Sequence, residues 1–207
     1  HINRVIRDML TIPSTHLVVI SYDDPLGRIM QTYEEIGRPS QISLLIGPAL
    51  ADLNTDALAE TAAQARALGV RVSEHRLNVA DREAVAALPE AVMAEHGKVD
   101  LLINNAGVAL GGNFDQVSTE NFDWLMSINF DAVVCMCRAF LPLLKQRPAA
   151  RVINISSLFG LITPAGQTAY CASKFAVRGF SNALRLELKD TSVGVTVVHP
   201  GGVATAI

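Results

Sequence analysis

The chain has 207 residues, of which 50% are hydrophobic and 18% charged, with 17 Lys and Arg against 20 Asp and Glu for a formal net charge of -3. At about 150 residues per domain this length favours one domain over two, and the hydrophobic share supports a sizeable core and excludes intrinsic disorder. The slight acidic balance leaves no electrostatic footprint for DNA, RNA or an anionic membrane.

In chain order, 16–21 reads as a strand and 26–36 as a helix, while 41–49 is a second apolar run broken by Gly47 and Pro48. The run from Ala49 leads to Asp52 and Asn54, and 55–68 then reads as a helix closed by Gly69. Residues 70–73 follow as a strand. Asp81 can cap a helix running to His96 and Gly97, which Pro89 should kink or split. A short buried strand at 101–104, a long helical region at 119–145, a strand at 151–156, a second long helix at 168–189 and a strand at 194–199 complete the series. Strands alternating with helices predict a parallel sheet covered by helices, a layered α/β fold. Cys135, Cys137 and Cys171 are odd in number and lack zinc-like pairing, so neither disulfides nor a metal site is expected, and a reducing, cytoplasmic setting fits. The richest apolar stretch, 132–144, contains Arg138 and Pro142, short of the roughly 18 residues a membrane span needs. No uninterrupted apolar core follows Arg4 and Arg7, so neither a secretory leader nor a membrane partner is expected.

Tyr170 and Lys174 lie four apart on a predicted helix, which puts both side chains on one face. A phenol is a poor base at neutral pH, and a neighbouring ammonium stabilises its phenolate, so the pair can move a proton. Taken alone, a tyrosine and a lysine on a helix surface are more often just that. Ser157, thirteen residues earlier, ends a strand at the edge where open α/β sheets place their ligand crevice. Asn104, Asn105, Ala106 and Gly107 end another strand, and Pro200, Gly201, Val203 and Thr205 follow the last. Each could be an ordinary turn. Four such features on one edge of one sheet favour a site.

Taken together, Asn-Asn-Ala-Gly at 104–107, Asn129 in Met-Ser-Ile-Asn-Phe, Ile-Ser-Ser at 155–157, Tyr170 with Lys174, and Pro-Gly-Gly-Val-Ala-Thr at 200–205 resemble the short-chain dehydrogenase/reductase family in order and spacing, over about 49–207. The resemblance implies a single-domain, Rossmann-type, doubly wound parallel sheet with helices on both faces. It implies hydride transfer between a nicotinamide cofactor and a secondary alcohol or ketone, with Asn129, Ser157, Tyr170 and Lys174 as catalytic tetrad. In that scheme Tyr170 moves the proton, Lys174 supports it and binds the nicotinamide ribose, Ser157 orients the reacting oxygen, and Asn129 holds a water that links Lys174 to solvent. Asn105, Ala106 and Gly107 would line the cofactor site with Pro200 and Gly201, Val203 and Thr205 would meet the carboxamide end, and Asn78 and Val79 would stand near the adenine. Asn78 replaces the aspartate common there. Asp52, at a strand end, would accept hydrogen bonds from the adenosine ribose and repel a 2′-phosphate, so NAD is expected ahead of NADP. Its competing role is a helix cap, which Asn54 or Thr55 could fill equally well.

The family's glycine-rich turn after the first strand is absent from 1–48. If 17–21 is that strand, the turn is Tyr22, Asp23, Asp24, Pro25, Leu26, Gly27, with two carboxylates facing the pyrophosphate and one amide donor lost. If 42–46 is, too few residues remain before Asp52 for a crossover helix. Residues 1–48 are therefore an uncertain segment before the dehydrogenase region at 49–207, which reads as cut short at its C-terminal end. A catalytically degenerate dinucleotide-sensing or interaction protein of the same fold is the alternative function. Apolar residues on the two long helices (Ala132, Val133, Met136, Ala139, Phe140 and Leu143; Phe175, Phe180 and Leu184) exceed what one sheet face covers, which predicts a homodimer or homotetramer.

Overall fold

In the computed structural model, which describes residues 17–20 (backbone), 47–67 and 71–201, short strands made of continuous apolar runs lie at the centre and one polar strand at an edge. The strands are β1 (Leu17–Ile20), β2 (Ala49–Asp52), β3 (Ser73–Arg76), β4 (Leu101–Asn104), β5 (Ala150–Ile155) and β6 (Val193–Val198). All pair in parallel, in the order β3-β2-β1-β4-β5-β6. β2 and β4 are buried along their whole length, as parallel strands covered on both faces must be. The strand expected at 16–21 takes the inner position, with Val18 opposite Ala49 on one side and Leu102 on the other. The competing strand at 42–46, the helix at 26–36, the turn at 22–27 and the helix stop at Gly69 lie outside the described residues.

From β1 the chain order runs outward first to one edge and then to the other, so right-handed crossovers send the connecting helices to opposite faces. That reversal falls between β1 and β4, and ligands of doubly wound sheets bind beyond the C-terminal strand ends at such a point. The connecting helices are α1 (Thr55–Ala67), α2 (Arg82–His96), α3 (Thr119–Met126), α4 (Ala132–Leu144) and α5 (Thr168–Glu187).

Three expectations need correction. α2 is one continuous helix, not two pieces about Pro89. Asp81 accepts hydrogen bonds from Glu83 N and Ala84 N, and Gly97 closes the other end at φ 72° with its N–H on Met93 O. Those caps, with Val85, Leu88 and Val92 buried on one face at about 1.5–3 kcal/mol each, outweigh a cost of about 3 kcal/mol for an interior proline. The strand expected at 70–73 is β3, three residues later, and its sequence Ser-Glu-His-Arg carries no apolar run. Backbone pairing to β2, from Ala49 opposite Ser73 to Asp52 opposite Arg76, sets its place instead. The region at 119–145 is two α-helices joined through a π-helical turn, Ser127–Asp131. Arg138 and Pro142 do not interrupt the joined unit, so Thr119–Leu144 is the one helical stretch among the described residues long and apolar enough to cross a membrane by length and composition. Its apolar side is core: Ala132, Val133, Met136, Cys137, Phe140 and Leu144 are buried with Val85, Leu88, Val92, Leu102 and Val152 in one cluster.

A polar ladder crosses this core. Asn104 and Asn154 stand opposite each other on β4 and β5, and Asn104 Nδ2 donates to Asn154 Oδ1 at 2.8 Å. Asn154 Nδ2 then donates to Ser181 Oγ of α5 at 2.9 Å, and Ser181 Oγ donates to Val177 O at 2.6 Å. Register and helix position are thus tied together by groups that would each be costly to bury unpaired.

Candidate active site

β5 ends at Ile155, and Ser156 and Ser157 lead into a single 3-10 turn, Leu158–Gly160. Ser157 is in extended conformation and its Oγ accepts from Phe159 N at 3.2 Å, so its hydroxyl proton is left to donate elsewhere. Its carbonyl accepts from His199 Nδ1 at 3.0 Å, and Leu158 N donates to Pro200 O at 2.8 Å. These bonds lock the ends of β5 and β6 together and put Pro200 beside Ser157, with Gly201 exposed after it. Val203 and Thr205 lie outside the described residues. Gly160 permits the tight return: a Cβ there would collide with Ser156 Oγ and lie 2.9 Å from Lys174 O. Ser156 Oγ itself donates to Lys174 O at 2.9 Å, seating the turn on α5.

Tyr170 and Lys174 share a face of α5 as their spacing requires, with Lys174 Nζ 5.6 Å from the centroid of the Tyr170 ring. Phe159 stands edge-on to Tyr170 at 6.1 Å between ring centroids, linking the tyrosine to the serine turn. Lys174 is buried, and burial brings its ammonium down from 10.5 to about 8 because desolvation penalises the charged form. Of its three N–H donors, one is satisfied among the described residues, by Ile155 O at 3.2 Å.

Asn129 sits inside the π turn and is buried. Its Oδ1 accepts from Val108 N at 2.8 Å, and its Nδ2 donates to Val108 O at 2.9 Å and to Ser173 Oγ at 3.1 Å. The amide thus pins the backbone after Asn105, Ala106 and Gly107, and the side chain is a clamp there. Gly107 leaves room there, because a Cβ would come within 3.2 Å of Lys174 Nζ and 3.4 Å of Asn129 Oδ1. Asn105 is half-buried at the strand end, and Ala106 is buried in the core.

Asp52 closes β2, buried, with its Oδ1 accepting from Asn54 N at 2.8 Å. Asn54 is the residue that caps α1, its Oδ1 accepting from Asp56 N and Ala57 N at 3.1 Å each. Asn78 is exposed and accepts from Ala80 N at 3.1 Å, while the Val79 side chain belongs to the core and offers a ligand only its backbone.

Sequence reasoning passed over Ser173, Val108, Phe159, Gly160 and His199. Ser173 directly precedes Lys174, and a polar residue on the buried face of a helix is a readable signal. The others act through backbone or ring contacts that no spacing announces.

A family model described as short chain dehydrogenase matches residues 48–207. SadH of Mycobacterium tuberculosis (strain ATCC 25618 / H37Rv), an oxidoreductase by name, is 48% identical over 161 residues, which cover 77% of this chain and 58% of SadH. This chain therefore spans a little over half the length of that relative. A short-chain dehydrogenase/reductase from Burkholderia phymatum, in complex with NAD, is 30% identical with a TM-score of 0.82, covering 95% of this chain and 69% of its own. A metagenomic short-chain oxidoreductase in complex with NADP is also 30% identical, with a TM-score of 0.80, covering 93% and 84%. The two complexes hold different dinucleotides.

Proposed function

This chain belongs to the short-chain dehydrogenase family, and from that premise we propose that it is an oxidoreductase moving a hydride between NAD(H) and a secondary alcohol or ketone. The carrying observation is the buried Lys174 ammonium beside the Tyr170 ring, at the sheet edge where the strands end. A nicotinamide dinucleotide fits these residues. A buried ammonium with two donors unfilled by the described side chains suits ribose hydroxyls, and Gly107 keeps the backbone beside it bare. When bound, the cofactor supplies or accepts the hydride. Tyr170 gives its proton to the carbonyl oxygen on reduction and takes it from the alcohol on oxidation. Lys174 stabilises the phenolate that forms in between, Ser157 donates a hydrogen bond to the reacting oxygen while keeping its proton, and Asn129 holds the Val108 backbone and Ser173 in place around them. The stretches 105–114 and 157–173 contain no charged residue, which suits a neutral substrate.

Tyr170→Phe removes the proton carrier and keeps the ring on Phe159, so turnover should fall by about 10²–10⁴ while circular dichroism and melting temperature stay those of the parent. Near-normal turnover on a substrate the parent accepts would overturn this reading. Asp52 supports NAD over NADP, and comparing kcat/KM for NADH and NADPH in the parent and in Asp52→Ala tests it. The missing glycine turn favours a second reading, a dinucleotide-sensing or interaction protein that binds cofactor weakly or not at all and has no turnover. Calorimetric titration with NADH separates the two: micromolar binding with turnover supports the enzyme, and no binding by folded protein supports the alternative. We further propose a cytoplasmic location and a homodimer or homotetramer. Exposed Trp124, Phe175 and Leu186 on the long helices support association.

A further inference from the structure

We propose that Gly166 is a positioning residue, whose left-handed turn clips the loop after β4 to the first turn of α5 and thereby sets where Tyr170 stands. The proposal rests on the dehydrogenase reaction of the preceding subsection. Gly112 N donates to Gly166 O at 2.9 Å, and Gly112 and Gln167 form an isolated parallel bridge between the two loops. Both glycines have positive φ, 144° at Gly112 and 73° at Gly166. A Cβ at Gly166 would meet nothing within 4 Å, so no packing demand excludes a side chain there. Its dihedral angle is what calls for glycine.

The clip matters because, among the described residues, the other contacts of this helix start come from the serine turn and its exit (Phe159 against the Tyr170 ring, Cys171 Sγ on Ile162 O), and the Gly112 bond is the backbone tie to the loop after β4. Gln167 occupies the cap position and makes no side-chain capping bond, and uncapped helix ends fray. Tyr170 lies in that first turn, whose first bond runs from Cys171 N to Gln167 O at 2.8 Å. The other end of the clipped loop is held at Val108 by Asn129 through both backbone groups. Residues 108–112 therefore form a short strap fixed at one end to the π turn and at the other to the helix start carrying the proton donor. Releasing the second anchor leaves Lys174, Ser173 and Asn129 in place and lets Tyr170 move relative to them. Misplacement of a reacting group by about 1 Å costs rate more than binding.

The test compares the parent with Gly166→Ala, which penalises the left-handed conformation, and Gly166→Asn, which tolerates it. Ala should lower kcat roughly five- to thirtyfold with cofactor KM unchanged, and Asn should restore most of kcat. Hydrogen exchange supplies a readout independent of turnover. The Gly112 and Cys171 amides should lose protection in the Ala variant and regain it with Asn, while amides of β4 and β5 stay as in the parent. If Ala lowers the melting temperature but leaves kcat and both amides unchanged, the role is not positioning and the proposal falls. If all three proteins lack turnover with either dinucleotide, the dehydrogenase reading fails, and the exchange pattern still decides whether the clip holds the helix start.

Discussion

Lys174 carries a charge into the interior, and the cost has a sign in pH. Its ammonium titrates at about 8 in the folded chain against 10.5 in the free side chain. Below about 8 both states hold the proton and the folded state bears the full burial penalty. Between the two values the unfolded chain binds the proton and the folded chain does not, so stability rises with pH across that window. Lys174→Met removes the group from both states. Denaturant unfolding at about pH 7.5 and about pH 10 should show the parent gaining on the variant by on the order of 2 kcal/mol, and a constant difference would contradict the burial argument. The tyrosine and lysine were readable because helical periodicity alone places residues four apart together. The work of Asn129 was not. Its motif marked the position, but only the fold shows the amide holding the Val108 backbone and Ser173.

Elements with strong local signals matched their sequence. α2 has a cap at each end, and β4 has an unbroken apolar run. β3 did not, because an edge strand is placed by its neighbour's backbone and needs no apolar pattern of its own. The π turn at Ser127–Asp131 was equally hidden, since one extra residue per turn leaves no compositional mark. β3 brings its own pH dependence. Ser73 Oγ lies 2.8 Å from His75 Nε2 and 2.8 Å from His96 Nε2, tying the strand to the end of α2. Burial holds His75 below its usual 6.5, partly offset by the Glu95 carboxylate. The neutral ring contributes stability present above about pH 6.5 and lost as pH falls toward the folded value, because the unfolded chain takes up the proton first. Melting at about pH 7.5 and about pH 5 should therefore show a steeper acid loss in the parent than in His75→Gln. Equal slopes would mean the strand contact is not linked to the ring's proton.

Across the whole molecule, the apolar surplus read from the long helices is mostly internal. Ala132, Val133, Met136, Phe140 and Leu184 are buried in the chain's own core, and Ala139, Leu143 and Phe180 pack against it. What remains outside is Trp124, Phe175 and Leu186, at 46%, 37% and 71% exposure. A homo-oligomer built on these helices should appear as a dimer or larger by light scattering at micromolar concentration, and Trp124→Glu or Phe175→Glu should return it to monomer. A parent that is already monomeric would exclude it. The strand order was legible only as alternation, since nothing in the sequence states that β1 lies between β2 and β4.

The polar ladder across the core carries one more consequence. Cys137 lies against it, with Asn104 Nδ2 3.5 Å from its sulfur, and burial pushes its thiol up to about 12 despite the two asparagine contacts. A thiol held protonated and out of reach cannot be alkylated in the native protein. Cys135 is only half-buried. Cys171 is buried as well, so in a Cys171→Ala variant the slow phase of thiol labelling becomes a gauge of how often the core around the asparagine ladder opens at Cys137.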